Sequence, residues 1–214
     1  MTGVQTCALP ISPSGSSQQQ TYSSLLDEIH HLKAILEKLL LLSLADSGRL
    51  ALEREPTDLS AILANVIEDS AALAPQVKFS ADAPTGVIVH ADAVLLEQAL
   101  QNLAGNALKY NRPGGLVRLT LTTTAEHAIV TLANSGPGIA DEDRPRIFER
   151  FYRGDPARTR DRTTGVGLGL SLSREILRAH GGDLVLAPAR ADCTEFIATL
   201  PLASPLAPTA PSVS

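Results

Sequence analysis

The chain has 214 residues, of which 44% are hydrophobic and 3% aromatic, with no tryptophan and a net charge of −5 at pH 7. This length favours one domain with an appendage, and the core must be built from aliphatic side chains. The negative charge argues against nucleic acid as a partner, because proteins that bind nucleic acid neutralise its phosphates with a basic face. No apolar run approaches the roughly 20 residues of a membrane-spanning helix, and two cysteines indicate no disulfide framework, which favours a reducing cytoplasm.

The first 20 residues have neither helical nor strand periodicity and end in a polar tract, residues 13–20. Residues 1–12 also resemble the translation of a common sequencing-library adapter. We therefore predict that residues 1–20 are a disordered leader of artefactual origin and that the true gene begins upstream. A natural disordered N-terminus is the alternative, whereas a signal peptide is disfavoured because the basic and long apolar regions are missing.

An apolar seam at steps of four and three residues predicts a helix from Ser23 to about Asp46. The seam consists of Leu25, Ile29, Leu32, Leu36 and Leu39. Ser47 and Gly48 predict the end of this helix. Because one side of the helix is strongly apolar, we predict that residues 21–54 form one half of a helical hairpin.

Residues 55–203 mix helices and strands without strict β-α-β alternation. After a break at residues 56–58, the predicted helices are 59–75, 93–110, a short one around 144–151, and 170–179, and the predicted strands are 77–80, 87–90, 116–123, 128–133, 183–187 and 194–200. The strands 116–123 and 128–133 are predicted to form a hairpin. This order predicts an α/β two-layer sandwich with a mixed sheet and helices on one face, followed by a disordered tail at 204–214.

One face of the long predicted helix is polar. Gln98, Asn102, Asn106 and Lys109 step by four, four and three residues, so their side chains share that face. Amide oxygens are hard ligands that suit Mg²⁺, and the lysine would neutralise phosphate charge. Taken alone, such a stripe is typical of an ordinary solvent-facing side.

Two glycine-rich turns accompany this helix. Residues 134–139 follow an apolar strand, and residues 165–170 lead into a helix. Glycines let a backbone approach a ligand closely, and free N–H groups at a helix start favour phosphate. The first turn could also be an ordinary tight turn, and the second matches neither a P-loop nor a dinucleotide fingerprint.

Four segments in chain order resemble the N box, first glycine box, F box and second glycine box of sensor histidine kinases. They are Asn102–Tyr110, Asn134–Ile139, Ile147–Arg153 and Gly165–Leu170. The resemblance covers about residues 21–203, and the wording of the boxes is closest to the heavy-metal-sensor branch. It implies the Bergerat ATP-binding fold shared with gyrase B and MutL over residues 55–203, with ATP and Mg²⁺ as cofactors.

The resemblance also implies roles for individual residues. Asn106 would coordinate Mg²⁺, and the catalytic residues would be Asn102 and Lys109 at the phosphates and Arg153 at the γ-phosphate. Tyr110 would lie against the adenine. The other residues implied to bind the nucleotide are Asn134, Gly136, Gly138, Ile139, Gly165, Val166, Gly167, Leu168, Gly169, Leu170 and Thr194.

Asn134 departs from the usual pattern of the family, in which an aspartate accepts a hydrogen bond from the adenine amine. An amide oxygen can accept the same bond without a charge, so we expect weaker adenine binding. Cys193 likewise stands where glycine is common before the hydroxyl residue Thr194.

The resemblance places an ATP lid between the glycine boxes, at about residues 139–164. Most of its arginines are predicted to face solvent, because runs of charge usually do. Phe148, Phe151 and Tyr152 are predicted to anchor the lid helix on the domain, since aromatic residues are rare in this chain.

A segment resembling the His-Glu-Leu-Arg-Thr-Pro acceptor motif is missing from the sequence. His30 and His31 lack the following acid and proline, and we predict that they are ordinary helix residues. Helix 23–46 resembles instead the second helix of the dimerisation hairpin. We therefore expect a homodimer through residues 23–46, an acceptor histidine upstream, a response regulator receiver domain as partner, and a parent protein anchored in the inner membrane through its missing N-terminal part.

Three other functions stay open at this point. The same fold could serve an anti-sigma serine kinase or a gyrase- or MutL-like ATPase. A scaffold that binds ATP without transferring phosphate is the third alternative, because Asn134 is unusual and the acceptor is missing.

Overall fold

The computed structural model describes residues 17–154, 165–190 and 192–203. It divides into two compact units, Met1–Leu39 and Leu40–Ser214. Helix α1 (Ser17–Asp46) accounts for the described part of the first unit and begins earlier than the predicted Ser23. Residues 17–20 of the predicted leader therefore belong to the helix, whereas the rest of the leader and the tail 204–214 lie outside the described residues. The predicted end of the helix is confirmed, with Gly48 at φ +64°.

The apolar seam of α1 is exposed in the first unit. Four of its five side chains are each more than half exposed, namely Leu25, Ile29, Leu32 and Leu36, and so is the neighbouring Leu26. Within the described ranges, no helix combines the length and apolar character that crossing a membrane requires.

The second unit contains a mixed sheet covered by helices, as predicted. Its elements are β1 (Glu55–Asp58), α2 (Leu59–Leu73), β2 (Lys78–Asp82), β3 (Ile88–Ala91), α3 (Ala93–Lys109), β4 (Leu116–Thr123), β5 (His127–Ser135), α4 (Gly169–Ala179), β6 (Asp183–Leu186) and β7 (Cys193–Pro201). Five strands pair in the order β2-β4-β5-β7-β6, and β1 pairs with β3 in a small separate sheet. Only β2 and β4 are parallel among these five strands, and the predicted hairpin of β4 and β5 is confirmed.

The core is aliphatic. It forms where alternate residues of the strands point toward the helices and pack against their apolar side. On β4 the buried side chains are Val117, Leu119 and Leu121, and on α3 they include Leu96, Leu100 and Leu103. Full burial of each such side chain stabilises the fold by roughly 1.5–3 kcal/mol. Because the apolar face of α3 packs into the core, the opposite, polar face of α3 is directed toward the candidate functional site.

The start of α3 is fixed by hydrogen bonds from two directions. The Asp92 carboxylate accepts from the Leu95 N–H at 3.1 Å and caps the helix. The Asp92 N–H donates to Nε2 of His180 at 3.0 Å, and Nδ1 of His180 contacts the Ile176 carbonyl at 2.8 Å. The end of α4 is thereby tied to the start of α3.

Two local predictions were wrong. The predicted break at residues 56–58 lies in β1, whose pairing with β3 is a long-range contact that local composition does not reveal. The predicted short helix at residues 144–151 is a series of turns, closed by bonds such as Arg146 N–H to the Asp143 carbonyl. Pro145 has no N–H, and Phe151 lies at φ +61°, so neither supports a regular helix.

Candidate functional site

A cleft of about 170 Å³ lies between the end of α3, the first glycine box, the F box and strand β7. It brings together eight of the predicted site residues: Asn106, Tyr110, Asn134, Gly138, Ile139, Arg153, Leu170 and Thr194. Thr194 reaches it because β7 pairs with β5 in a register that sets Thr194 opposite Asn134.

The polar face of α3 lies against the second glycine box. Asn106 lines the cleft itself, whereas Asn102 and Lys109 do not. A Cβ on Gly169 would lie 3.7 Å from the Asn102 Oδ1, and a Cβ on Gly165 would lie 3.1 Å from the Lys109 Nζ. The Lys109 Nζ also lies 5.2 Å from the ring centroid of Tyr110. Asn102 and Lys109 therefore stand at the two ends of the second glycine box.

The Asn102 Nδ2 is buried and has no hydrogen-bond partner among the residues that the structure describes. A buried donor without a partner carries a desolvation cost of about 1–3 kcal/mol. An anionic oxygen placed between α3 and the glycine box would satisfy it. The site residues thus fit a phosphate-bearing ligand.

The first glycine box approaches the end of α3 more closely than any side chain would allow. A Cβ on Gly136 would lie 2.5 Å from the Tyr110 carbonyl oxygen. The Arg112 N–H donates to the Ser135 carbonyl at 2.9 Å and holds the two segments together. Gly136 does not line the cleft itself, and its missing side chain sets the distance between the two walls. Gly138, at φ +73°, turns the chain into the cleft.

Asn134 is buried at the end of β5, with only 3% of its surface exposed. Its Nδ2 donates to the Tyr110 carbonyl at 3.3 Å and to the Ser135 carbonyl at 3.5 Å. The side chain therefore links β5 to the end of α3 while it lines the cleft.

The second glycine box packs tightly on the F box. A Cβ on Gly167 would lie 2.7 Å from the Tyr152 carbonyl oxygen, and Gly167 adopts φ +78°. The Phe151 N–H donates to the Gly167 carbonyl at 3.0 Å. Leu170 lines the cleft, Leu168 is buried, and Gly165, Val166, Gly167 and Gly169 stand outside its lining.

A family model described as "Histidine kinase-, DNA gyrase B-, and HSP90-like ATPase" matches residues 91–204, which include α3, both glycine boxes and β7. The chain belongs to this family. Within this ATPase family, the chain is 34% identical to the probable sensor histidine kinase TcrY of Mycobacterium tuberculosis, over 84% of this chain and 38% of that protein. It is also 34% identical to the sensor histidine kinase CusS of Escherichia coli K12, over 91% of this chain and 40% of that protein.

A solved structure supports the same assignment. Full-length ShkA in complex with AMPPNP superimposes with a TM-score of 0.75 and 28% identity, covering 91% of this chain and 41% of that chain. The resemblance to the catalytic domain of sensor histidine kinases is thus confirmed, and the anti-sigma and gyrase-like alternatives are not favoured. CusS among the relatives agrees with the branch expected from the boxes. The chain spans less than half the length of TcrY and CusS.

The F box of this ATPase domain is anchored by Phe148, as predicted. Its ring meets that of Phe196 edge to face, with centroids 6.3 Å apart. The Arg174 guanidinium lies 4.6 Å from the Phe148 ring centroid and is held by Asp183, with 3.0 Å between Nε and Oδ1. The prediction for Phe151 was wrong, because that side chain is 57% exposed. The strained backbone at Phe151, rather than its ring, makes the contact with the second glycine box.

The Tyr152 side chain is held by two residues that precede the F box. Its hydroxyl donates to Asp143 at 2.5 Å, and the Arg146 guanidinium lies 4.2 Å from its ring centroid. The hydrogen bond to the Asp143 carboxylate raises the pKa of Tyr152 above its usual value. The phenol thus stays protonated at neutral pH.

Among the arginines of the predicted lid, Arg146 and Arg150 are exposed, as predicted, although each has an acidic partner, whereas Arg144 is partly buried. Arg144 donates to the Ala187 carbonyl at 2.5 Å, and Arg150 pairs with Asp46. Arg146 pairs with Glu149 as well. The prediction for Arg158, Arg160 and Arg162 lies outside the described residues.

Seven residues that line the cleft were not among the predicted site residues: Pro137, Ala140, Asp143, Ile147, Tyr152, Gly154 and Phe196. Phe196 could have been found, because residues two apart on a strand face the same side and Thr194 was already assigned. Ile147 and Tyr152 belong to the F box, where only Tyr152 had a predicted role, as an anchor of the lid helix. Asp143 gave no signal, since an acid in a charged loop is ordinary.

Proposed function

We propose that this chain binds ATP together with Mg²⁺ in the cleft and donates the γ-phosphoryl group to a histidine of a dimerisation hairpin. The arrangement of the amide face of α3 against both glycine boxes is the observation that carries this proposal. The family assignment and the nucleotide analogue in the ShkA complex support it. The phosphoryl group would then pass to the receiver domain of a response regulator.

The phosphates would lie between α3 and the second glycine box. There the Asn102 Nδ2 would donate to a phosphate oxygen, and Lys109 would neutralise charge. Arg153, which lines the cleft, would reach the γ-phosphate. Phosphoryl transfer depends mainly on positioning and charge stabilisation, so these groups supply most of what the reaction requires from the protein.

Asn106 is the residue that we assign to Mg²⁺. The described residues contain no cluster of three His, Cys, Asp or Glu side chains that could hold a metal alone. Mg²⁺ commonly takes few protein ligands and completes its shell with phosphates and water, which fits a single amide oxygen. The bound ion would neutralise charge on the transferred phosphoryl group.

The base would lie at the other end of the cleft, among Tyr110, Asn134 and Thr194. The backbone of the first glycine box, at Gly138 and Ile139, borders this end. Asn134 would accept a hydrogen bond from the exocyclic amine of adenine.

The exposed seam of α1 supports a homodimer through residues 23–46, because five apolar side chains lie uncovered along one helix in a single chain. We further propose that the complete protein is anchored in the inner membrane through a region outside this sequence and that the ATPase domain lies in the cytoplasm.

Nucleotide titration of the full chain tests the metal site. Asn106→Ala should weaken ATP binding about tenfold or more in Mg²⁺ and should have little effect in excess EDTA. Asn65→Ala, an exposed asparagine of α2, is the matched control and should bind as the wild type does. Equal affinity of Asn106→Ala and wild type in Mg²⁺ would refute the assigned ligand.

Phosphoryl transfer is tested by mixing the chain with labelled ATP, Mg²⁺ and a separately prepared acceptor hairpin from a sensor histidine kinase. Acid-labile phosphohistidine on the hairpin is the expected product. Acid-stable phosphoserine would contradict the histidine-kinase proposal and favour a serine kinase, whereas tight ATP binding with no transfer to any acceptor hairpin tried would favour the scaffold function.

A further inference from the structure

The Tyr152 side chain joins two parts of the chain that border the cleft. Its hydroxyl donates to the Asp143 carboxylate at 2.5 Å, and both residues line the cleft. Asp143 lies in a turn where its N–H donates to the Ala140 carbonyl and its carbonyl accepts from the Arg146 N–H, each at 2.9 Å. The turn therefore presents the carboxylate as a fixed acceptor. A hydrogen bond to a carboxylate is about twice as strong as a neutral one, so this bond holds the two parts together well.

The backbone beside Tyr152 adopts a conformation that its neighbours must maintain. Phe151 lies at φ +61°, a region that residues other than glycine rarely occupy. The Phe151 N–H donates to the Gly167 carbonyl at 3.0 Å, and Gly167 packs against the Tyr152 carbonyl oxygen, which an added Cβ would approach to 2.7 Å. Such a conformation persists only where surrounding contacts hold it. The bond between the Tyr152 hydroxyl and Asp143 is a further contact of this kind, made by the side chain.

Arg153 is the next residue of the chain, and its position depends on these contacts. Its side chain is exposed and lines the cleft. The guanidinium reaches a phosphate only if the Arg153 Cα lies in range, and a displacement of about 1 Å at a reacting centre can reduce a rate by about a hundredfold. Loss of the Tyr152 hydroxyl bond would let Phe151 relax toward an ordinary φ and would displace Arg153.

We infer that Tyr152 is a positioning residue for phosphoryl transfer, because its hydroxyl, bonded to Asp143, holds Arg153 where the guanidinium meets the γ-phosphate. This inference rests on the proposed function, in which Arg153 stabilises the transferred group. The rest of the nucleotide would be bound elsewhere, by Asn102, Lys109 and the base end of the cleft. An interaction that strengthens only in the transition state changes kcat and not the binding of ATP. Tyr152 should thus affect the rate of transfer and leave the KM for ATP nearly unchanged.

Tyr152→Phe tests this role in the transfer of labelled phosphoryl from ATP to a separately prepared acceptor hairpin at fixed concentration. The variant removes only the hydroxyl and keeps the ring beside the Arg146 guanidinium. We expect kcat to fall about tenfold and the KM for ATP to change less than about twofold. Tyr22→Phe makes the same change on an exposed tyrosine and should behave as the wild type does. A wild-type kcat in Tyr152→Phe, or a rise in KM that accounts for the whole loss, would overturn the inference, whereas no transfer by the wild type would refute the proposed function instead.

The double variant of Tyr152→Phe with Arg153→Met shows whether the hydroxyl acts through the arginine. Methionine is unbranched and uncharged, so Arg153→Met alone should lower kcat. In that background, removal of the Tyr152 hydroxyl should change kcat by less than about twofold, because the group that it positions is already gone. A tenfold loss in both backgrounds, or a wild-type kcat in Arg153→Met, would overturn the inference.

Replacement of Asp143 separates the hydrogen bond from the negative charge. Asp143→Asn keeps an acceptor for the Tyr152 hydroxyl, and its kcat should stay within about threefold of the wild type. Asp143→Leu has no acceptor and should reproduce the loss seen in Tyr152→Phe. An Asp143→Asn variant as slow as Asp143→Leu would overturn the inference, since the charge and not the bond would then be required. Circular dichroism reports folding, and an unfolded Tyr152→Phe would likewise overturn it, because the bond would then support the fold as a whole.

Discussion

Replacement of Gly136 by alanine should separate the walls of the cleft. The new Cβ would lie 2.5 Å from the Tyr110 carbonyl oxygen, whereas an ordinary contact begins at 3.4 Å, so the first glycine box must move by about 0.9 Å. Gly136 does not have a positive φ, so the effect is steric only. Overpacking of this kind costs about 1–3 kcal/mol, and loss of the Asn134 to Tyr110 hydrogen bond adds about 1 kcal/mol.

Gly105→Ala on α3 is the matched control, because nothing lies within 4 Å of its added Cβ. Alanine inside a helix should raise the free energy of unfolding by about 0.5–1 kcal/mol. The free energy of unfolding measured by urea denaturation should thus change in opposite directions in the two variants. In Gly136→Ala it should fall by about 2–4 kcal/mol. ATP titration should show about a tenfold loss for Gly136→Ala alone. A Gly136→Ala variant with wild-type stability and affinity would refute the steric argument.

Three further changes test how the site is supported. Burial lowers the pKa of His180 below its ordinary value of 6.5, so the unfolded chain binds a proton at a higher pH than the folded chain does. The part of the free energy of unfolding that depends on neutral His180 should therefore be fully present above about pH 6.5 and should be lost as the pH falls below that value. His180→Gln should remove this part of the pH dependence, which urea denaturation measures. Asp58→Ala removes the carboxylate that caps α2 at the Ala61 N–H and should lower the free energy of unfolding by about 1 kcal/mol, with ATP affinity unchanged. Arg174→Met should cost about 1 kcal/mol in thermal unfolding, because it removes the cation over the Phe148 ring and the ion pair with Asp183, and a Phe148→Leu background should reduce that difference by the part due to the ring.

Periodicity was sufficient to predict most of the fold. The apolar steps of α3 and the alternation of β4 and β5 are local signals, and the structure confirms all three elements to within two residues. Strand β1 escaped prediction because its four residues are defined by pairing with β3, over 30 positions further along the chain. The turns of the F box escaped because the apolar residues Ile147, Phe148 and Phe151 imitate a helical pattern that Pro145 interrupts.

The sequence could predict which residues belong to the candidate site but not which contacts those residues make. The resemblance to the family identified Asn106, Tyr110 and Thr194, which the structure places in one cleft. Sequence spacing could not show that the Asn134 Nδ2 donates a hydrogen bond to the Tyr110 carbonyl, because that contact depends on the close approach permitted at Gly136. The expectation that the uncharged Asn134 binds adenine more weakly than an aspartate stays a prediction.

The pairing of β5 with β7 gives the two ends of the cleft different mechanical characters. Asn134 and Thr194 belong to a ladder of nine residue pairs between the two strands, so the end of the cleft nearest the sheet is rigid. The end proposed for the phosphates is bordered by the second glycine box, and a glycine turn adjusts at lower energetic cost. We expect the protein to discriminate sharply among purines and only loosely among nucleotides that differ in the number of phosphates.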